Sequence, residues 1–222
     1  MKTLSKAVAI ASLVSAGAMT SAISHAEVSY NAAAVTDYVW RGFSQNDNGF
    51  AVQGGADYEH ESGLSVGAWA STIMLDAEDG EDTFEVDVYA SYGFQAGGMD
   101  LSAGFITYNY DESDMGKEIN FGASKDAFSA MVSIAVDTET DAGYTYLEAA
   151  YDMALPQDLD LSLHAGYNIL ETDFVDDVLD LSATVGKSLE MVDVSATVTY
   201  TNADELLTED DVLFFLSASK EF

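Results

Sequence analysis

The sequence predicts an all-β chain, an up-and-down antiparallel barrel of about twelve strands, on three observations. Apolar and polar residues alternate with period 2 over stretches of about ten residues, and no sustained 3.6-residue apolar periodicity follows residue 26. The connections between these stretches are alternately tight and long, and the long ones are acidic. The chain has one proline, Pro156, no cysteine and no Gly/Ser-rich tether, so a single domain must be held by backbone closure and packing rather than by disulfides or thiolate metal sites.

Taken in order, the chain opens on a secretory signal. Lys2 and Lys6 supply the positive start, residues 7–19 the apolar stretch and Ser24-His25-Ala26 a small-x-small cleavage site. This divides the chain into a signal peptide, 1–26, and an outer-membrane β-barrel, 27–222. In the first strand Val28, Tyr30, Ala32, Ala34, Tyr38 and Trp40 share one face, and Ser29, Asn31, Asp37 and Arg41 the other. The second sets Phe50, Val52, Ala56 and Tyr58 against Gln53, Asp57 and Glu59; the third sets Leu64, Val66, Ala68 and Ala70 against Ser65, Gly67, Trp69 and Ser71. The fourth is the clearest, with Phe84, Val86, Val88, Ala90, Tyr92 and Phe94 alternating with Glu85, Asp87, Tyr89, Ser91 and Gly93. Eight more follow at about 100–110, 117–124, 127–136, 144–154, 159–168, 178–187, 192–201 and 211–222.

Long connections fall at 44–49, 75–83, 111–116, 137–143, 171–177 and 202–211; tight ones fall at 60–63, 95–99, 125–126, 156–158 and 190–191. Such alternation marks a meander whose two ends face different surroundings, as in outer-membrane barrels with short periplasmic turns and longer external loops. Both termini then lie at the periplasmic end. Tyr38, Trp40, Phe50, Phe84, Tyr167, Tyr200 and Phe214 are placed near the external rim; Tyr30, Tyr58, Tyr92, Phe94, Phe128, Tyr151 and Phe222 near the periplasmic one, as aromatic girdles.

Alternation alone does not say which face is outside, and a water-soluble barrel or sandwich with the apolar stripe inward has the same pattern. The polar face, however, carries few lysines or arginines and many small residues, unlike a soluble surface of mixed charge. The apolar face is therefore read as lipid-facing, which makes the barrel transmembrane.

The run VTDYVWRGFSQND at 35–47, followed by AVQGGADY at 51–58 and GAWAS at 67–71, resembles the TorF-type porin family of proteobacterial outer-membrane β-barrel proteins. The acidic strand EVDVY at 85–89 and the tail Ser219-Lys220-Glu221-Phe222 extend the resemblance over the rest of the chain. It implies an outer-membrane barrel with a role in transport, and it brings no catalytic or ligand-binding residues with it. Phe222, preceded by Phe214, Leu216 and Ala218 in alternation, also looks like the terminal signal taken up by the outer-membrane assembly machinery; Lys220 stands where a hydrophobic residue is usual.

Against 39 acids stand 7 bases, a net charge of −32, and two of those bases lie in the signal. Nucleic acid is thereby excluded as a partner; lipid, lipopolysaccharide and small solutes or cations remain. Asp37, Arg41, Asp57, Glu59, Glu85, Asp87, Glu118, Glu148 and Asp152 are expected to line a pore, with Asp160, Asp180 and Asp193 on the same face, and carboxylate rings favour cations. Trp69, Tyr89, Tyr108 and Tyr146 are large enough to narrow or close it. Arg41, the only arginine, is expected to pair with a nearby carboxylate and fix the entrance of the first loop. Two readings stay open: a porin-like channel for small solutes or cations, or a closed barrel with a structural, adhesive or envelope-integrity role and no transport.

Other chemistry is poorly supplied. The acidic runs DAEDGED at 76–82 and TEDD at 208–211 lack the ligand spacing of a calcium loop, so no metal site or cofactor is expected. His60 at a turn, and His164 two residues from Ser162, do not make a catalytic arrangement, so no enzyme and no catalytic residue is expected.

Overall fold

The computed structural model describes residues 26–74, 83–110, 113–136, 143–172, 176–203 and 211–222; residues 1–25 of the predicted signal at 1–26, and the run at 76–82, lie outside them. Fourteen strands are formed and no helix among the described residues: β1 (Glu27–Val35), β2 (Val39–Trp40), β3 (Phe43–Ser44), β4 (Ala51–Glu59), β5 (Leu64–Ile73), β6 (Thr83–Ala96), β7 (Met99–Tyr110), β8 (Ser113–Lys125), β9 (Phe128–Val136), β10 (Tyr144–Leu155), β11 (Leu159–Leu170), β12 (Val178–Ser188), β13 (Asp193–Thr201) and β14 (Val212–Glu221). Twelve of them, β1 and β4 to β14, form a closed antiparallel barrel; β2 and β3 form a separate hairpin. Every barrel strand pairs with its neighbours in sequence, and β1 closes the ring on β14 through Ala32↔Lys220 and Ala34↔Ala218. Closure removes the sheet edges, leaving no unpaired ladder for a chain without disulfides to protect.

The tight connections are where they were predicted. Gly97 and Gly98, both at positive φ, link Ala96 to Met99 as a two-residue turn, a conformation that glycine adopts without strain. The third long connection is shorter than expected: β7 runs to Tyr110 and β8 begins at Ser113, so most of 111–116 belongs to a strand. Pairing continues beyond the Tyr108/Asn109 register shift, through Asn109↔Asp114 and Tyr110↔Ser113.

The barrel is polar inside and apolar outside. Phe84, Val86 and Val88 are exposed, whereas Glu85 and Asp87 between them are buried, Asp87 completely. Phe214 is 66% exposed and Phe215 only 7%. A water-soluble barrel would show the reverse, so the inward-apolar alternative is overturned. This is the polarity expected of a barrel surrounded by lipid. Lys117, Lys125, Lys187 and Lys220 are exceptions on the outward face, paired with Thr107, Phe128, Val194 and Ala32, but each lies near a strand end, where an ammonium reaches water at small cost.

One segment departs from the predicted pattern. The first strand stops at Val35, and residues 37–46 fold into the barrel at the end carrying the long connections. Tyr38 and Trp40, expected in the outer girdle, instead face inward. Tyr38 is buried against Trp69 in an interior cluster with Val35, Ala51 and Ile73, and Trp40 packs on the same cluster. The other girdle aromatics stand outside, Phe50, Phe84, Tyr167, Tyr200 and Phe214 at the loop end among them.

Candidate functional site: an inward hairpin on acidic walls

The hairpin β2–β3 has the two-residue connection Arg41-Gly42, both at positive φ (49° and 89°), between the paired Trp40 and Phe43. That is the geometry of a type I′ turn, which suits glycine at the second position and strains arginine at the first. Polar contacts hold the base of the hairpin. Ser44 Oγ donates to Asp37 Oδ1 at 2.6 Å and accepts from the Asn48 amide; Gln45 N donates to Tyr38 O; Met74 N donates to Gln45 O, tying the segment to the end of β5. Burial raises the Asp37 carboxyl above the usual carboxylate range, against the opposing effect of the Ser44 hydroxyl.

The tip crosses the lumen. Arg41 Nη1 lies 2.8 Å from Glu118 Oε1, and Nη2 donates to Glu118 Oε2 at 3.0 Å. Glu118 is on β8, about half the circumference from β1. The guanidinium carbon stands 4.1 Å from the Tyr146 ring centre, 4.3 Å from that of Trp40 and 5.4 Å from that of Tyr144. Glu118 also accepts from the hydroxyls of Tyr108 and Tyr144 and from Asn120 Nδ2. Beside this pair, Gly42 runs so close to β12 and β13 that a Cβ there would lie 3.0 Å from Asp180 Cβ and 3.1 Å from Thr201 Cβ.

Two further acid groups line the same level. His164 places Nε2 3.1 Å from Glu148 Oε2 and Nδ1 3.3 Å from Asp180 Oδ1, while Tyr146 donates to Asp180 Oδ2 at 2.9 Å. On the other side Glu85 accepts from Tyr110, but its Oε2 and both carboxylate oxygens of Asp87 have no hydrogen-bond partner among the described residues. Asp87 is held between Trp69 and Tyr108 as their cross-strand neighbour.

The expected interior residues thus fall into two tiers. Asp37, Arg41, Glu85, Asp87, Glu118 and Glu148 gather around the hairpin. Asp57, Glu59 and Asp152 lie toward the tight-turn end, where Asp57 accepts from Tyr89 Oη at 2.6 Å. Arg41 does pair with a carboxylate, but across the barrel rather than beside it. Sequence reasoning missed Tyr110 and Tyr144, and treated His164 as incidental; Tyr144 carried a usable signal, an aromatic on the inward register two residues from Tyr146. Of the acidic run at 208–211, 208–210 lie outside the described residues.

Solved structures share this architecture. A KdgM porin aligns with TM-score 0.59 at 8% identity, over 87% of this chain and 99% of that one. A NanC porin aligns with TM-score 0.57 at 9% identity, over 88% and 98%. At such identities the likeness establishes the barrel fold of outer-membrane porins and no more. No curated protein matches the chain. A family model does, over residues 19–220, so the chain belongs to the family described as "bacterial protein of unknown function (Gcw_chp)".

Proposed function

We propose that the protein is an outer-membrane porin-like channel for small solutes and cations, its selectivity set by interior carboxylates. The observation that carries this reading is the excess of inward carboxyl groups over inward bases. Among the described residues the inward-facing bases are Arg41 and His164, each already committed to Glu118 or to Glu148 and Asp180. Asp87 and Glu85 keep unpartnered oxygens beside them. Fixed negative charge in a narrow low-dielectric lumen raises local cation concentration and repels anions.

The porin fold and the resemblance to TorF-type porins support passage as the role; the outward apolar face and the aromatic girdles support the outer membrane as the place. The solute class is this chain's own. One KdgM porin structure is a complex with disordered oligogalacturonate, an anionic oligomer that an acidic lumen would repel. Asp37, Arg41, Glu85, Asp87, Glu118 and Glu148 are assigned to the constriction; Asp57, Glu59 and Asp152 to the vestibule below it. Lipopolysaccharide contact by the acidic loops and uptake by the assembly machinery through Phe222 belong to the same proposal.

The inward hairpin also favours a second reading, a closed barrel with a structural or envelope-integrity role. Planar-bilayer recordings separate the two. The channel reading expects conductance with a cation-directed reversal potential in a KCl gradient, weakened in the double variant Glu85→Gln, Asp87→Asn. Absence of conductance in the wild type and in a variant lacking the hairpin tip would favour the closed barrel.

A further inference from the structure

The Arg41 guanidinium sits in a place that the barrel wall builds without it. Glu118, Tyr144 and Tyr146 belong to strands, and Tyr108 and Tyr144 donate to the carboxylate, so its two oxygens are held facing the lumen whatever the hairpin does. Two stacked oxygens for a planar fork of N–H groups, with aromatic faces 4.1 and 5.4 Å from the guanidinium carbon, make a recognition site for a guanidinium as such. The occupant, however, is poorly suited to stay. It is carried on a residue at positive φ, at the tip of a two-residue turn; its Nε and Nη1 have no hydrogen-bond partner among the described residues, Nη1 meeting Glu118 as an ion-pair contact alone.

We propose that the Glu118, Tyr144 and Tyr146 cage is a binding site for organic cations bearing a guanidinium group, and that Arg41 occupies it as a tethered competitor. A solute of that class takes the cage by displacing Arg41, and with it the hairpin tip that crosses the lumen. An inorganic cation offers neither the planar fork nor the stacking face and leaves Arg41 in place. The proposal deepens the channel reading, but binding to a barrel refolded in micelles needs no conduction, so each can fail alone.

The test is equilibrium binding of methylguanidinium, at matched ionic strength against KCl, to the full barrel and to Arg41→Ala, with heat-dependent gel migration as the check that each variant is folded. Removing the tethered competitor makes the cage fully available, so Arg41→Ala is expected to bind methylguanidinium at least about tenfold more tightly than the wild type. Adding Glu118→Gln to Arg41→Ala is expected to abolish that gain. If the folded Arg41→Ala barrel binds no more tightly than the wild type, or binds equally well with Glu118→Gln, the cage is only a tether for the loop and the proposal falls.

Discussion

Arg41 and Glu118 concentrate the energetics of the constriction in one pair. Glu118 is fully buried and Arg41 nearly so, at 8%. Removing one partner of such a pair leaves an uncompensated charge, at a cost of about 3–5 kcal/mol. The barrel ladder does not depend on the pair, so the cost falls on the docking of residues 37–46. Glu118→Ala is therefore expected to release the hairpin without unfolding the barrel: protease cleavage within 37–46 rises, while the temperature at which gel migration changes stays near that of the wild type. Arg41→Lys is expected to release it partly, since an ammonium keeps the charge but loses the two-point geometry and the stacking on Tyr146. A Glu118→Ala barrel with its hairpin still protected would show that the base contacts of Ser44 and Gln45 alone hold the loop.

At the scale of the element, the hairpin shows how far a strand pattern can mislead. Asp37, Tyr38, Trp40 and Arg41 keep the polar and apolar alternation of β1, with only Thr36 and Val39 out of step. A hairpin folded into a polar lumen needs the same mixture of ring and charge as a strand on the barrel wall, so periodicity cannot separate them. The discriminating signal is local: Gly42 after Arg41, and the polar run Ser44-Gln45-Asn46-Asp47-Asn48-Gly49 that follows. Strands such as β6 had no such ambiguity, because fourteen residues alternate between two sharp boundaries. The interior partners of Arg41 were not legible either, since which carboxylate lies across a closed ring depends on the register of every strand between. Gly42→Val tests the element directly. It meets both a positive φ of 89° and the close approach to Asp180 and Thr201, so the tip must leave the wall. We expect larger conductance and a red-shifted tryptophan emission from Trp40; an unchanged spectrum and conductance would mean that the turn tolerates a side chain there.

The whole molecule is organised by one inversion, apolar outside and charged inside, and this was legible at once in segments such as 84–94. Its energetic consequence is specific to lipid. Val88, exposed near the middle of β6, faces the apolar surroundings. A lysine there is expected to destabilise the barrel by about 2–4 kcal/mol in denaturant unfolding from lipid vesicles, while lysine at Ser91 on the inward face is expected to cost less. Equal costs would contradict the assignment of faces.

The interior half of that inversion carries the functional claim, and reversal potential across a planar bilayer in a KCl gradient tests it most directly, recorded for the wild type and for Arg41→Ala. The account predicts cation preference in both, with larger conductance once Arg41 no longer ties the hairpin across the lumen to Glu118. Anion preference in either barrel, or no current through either, would contradict it.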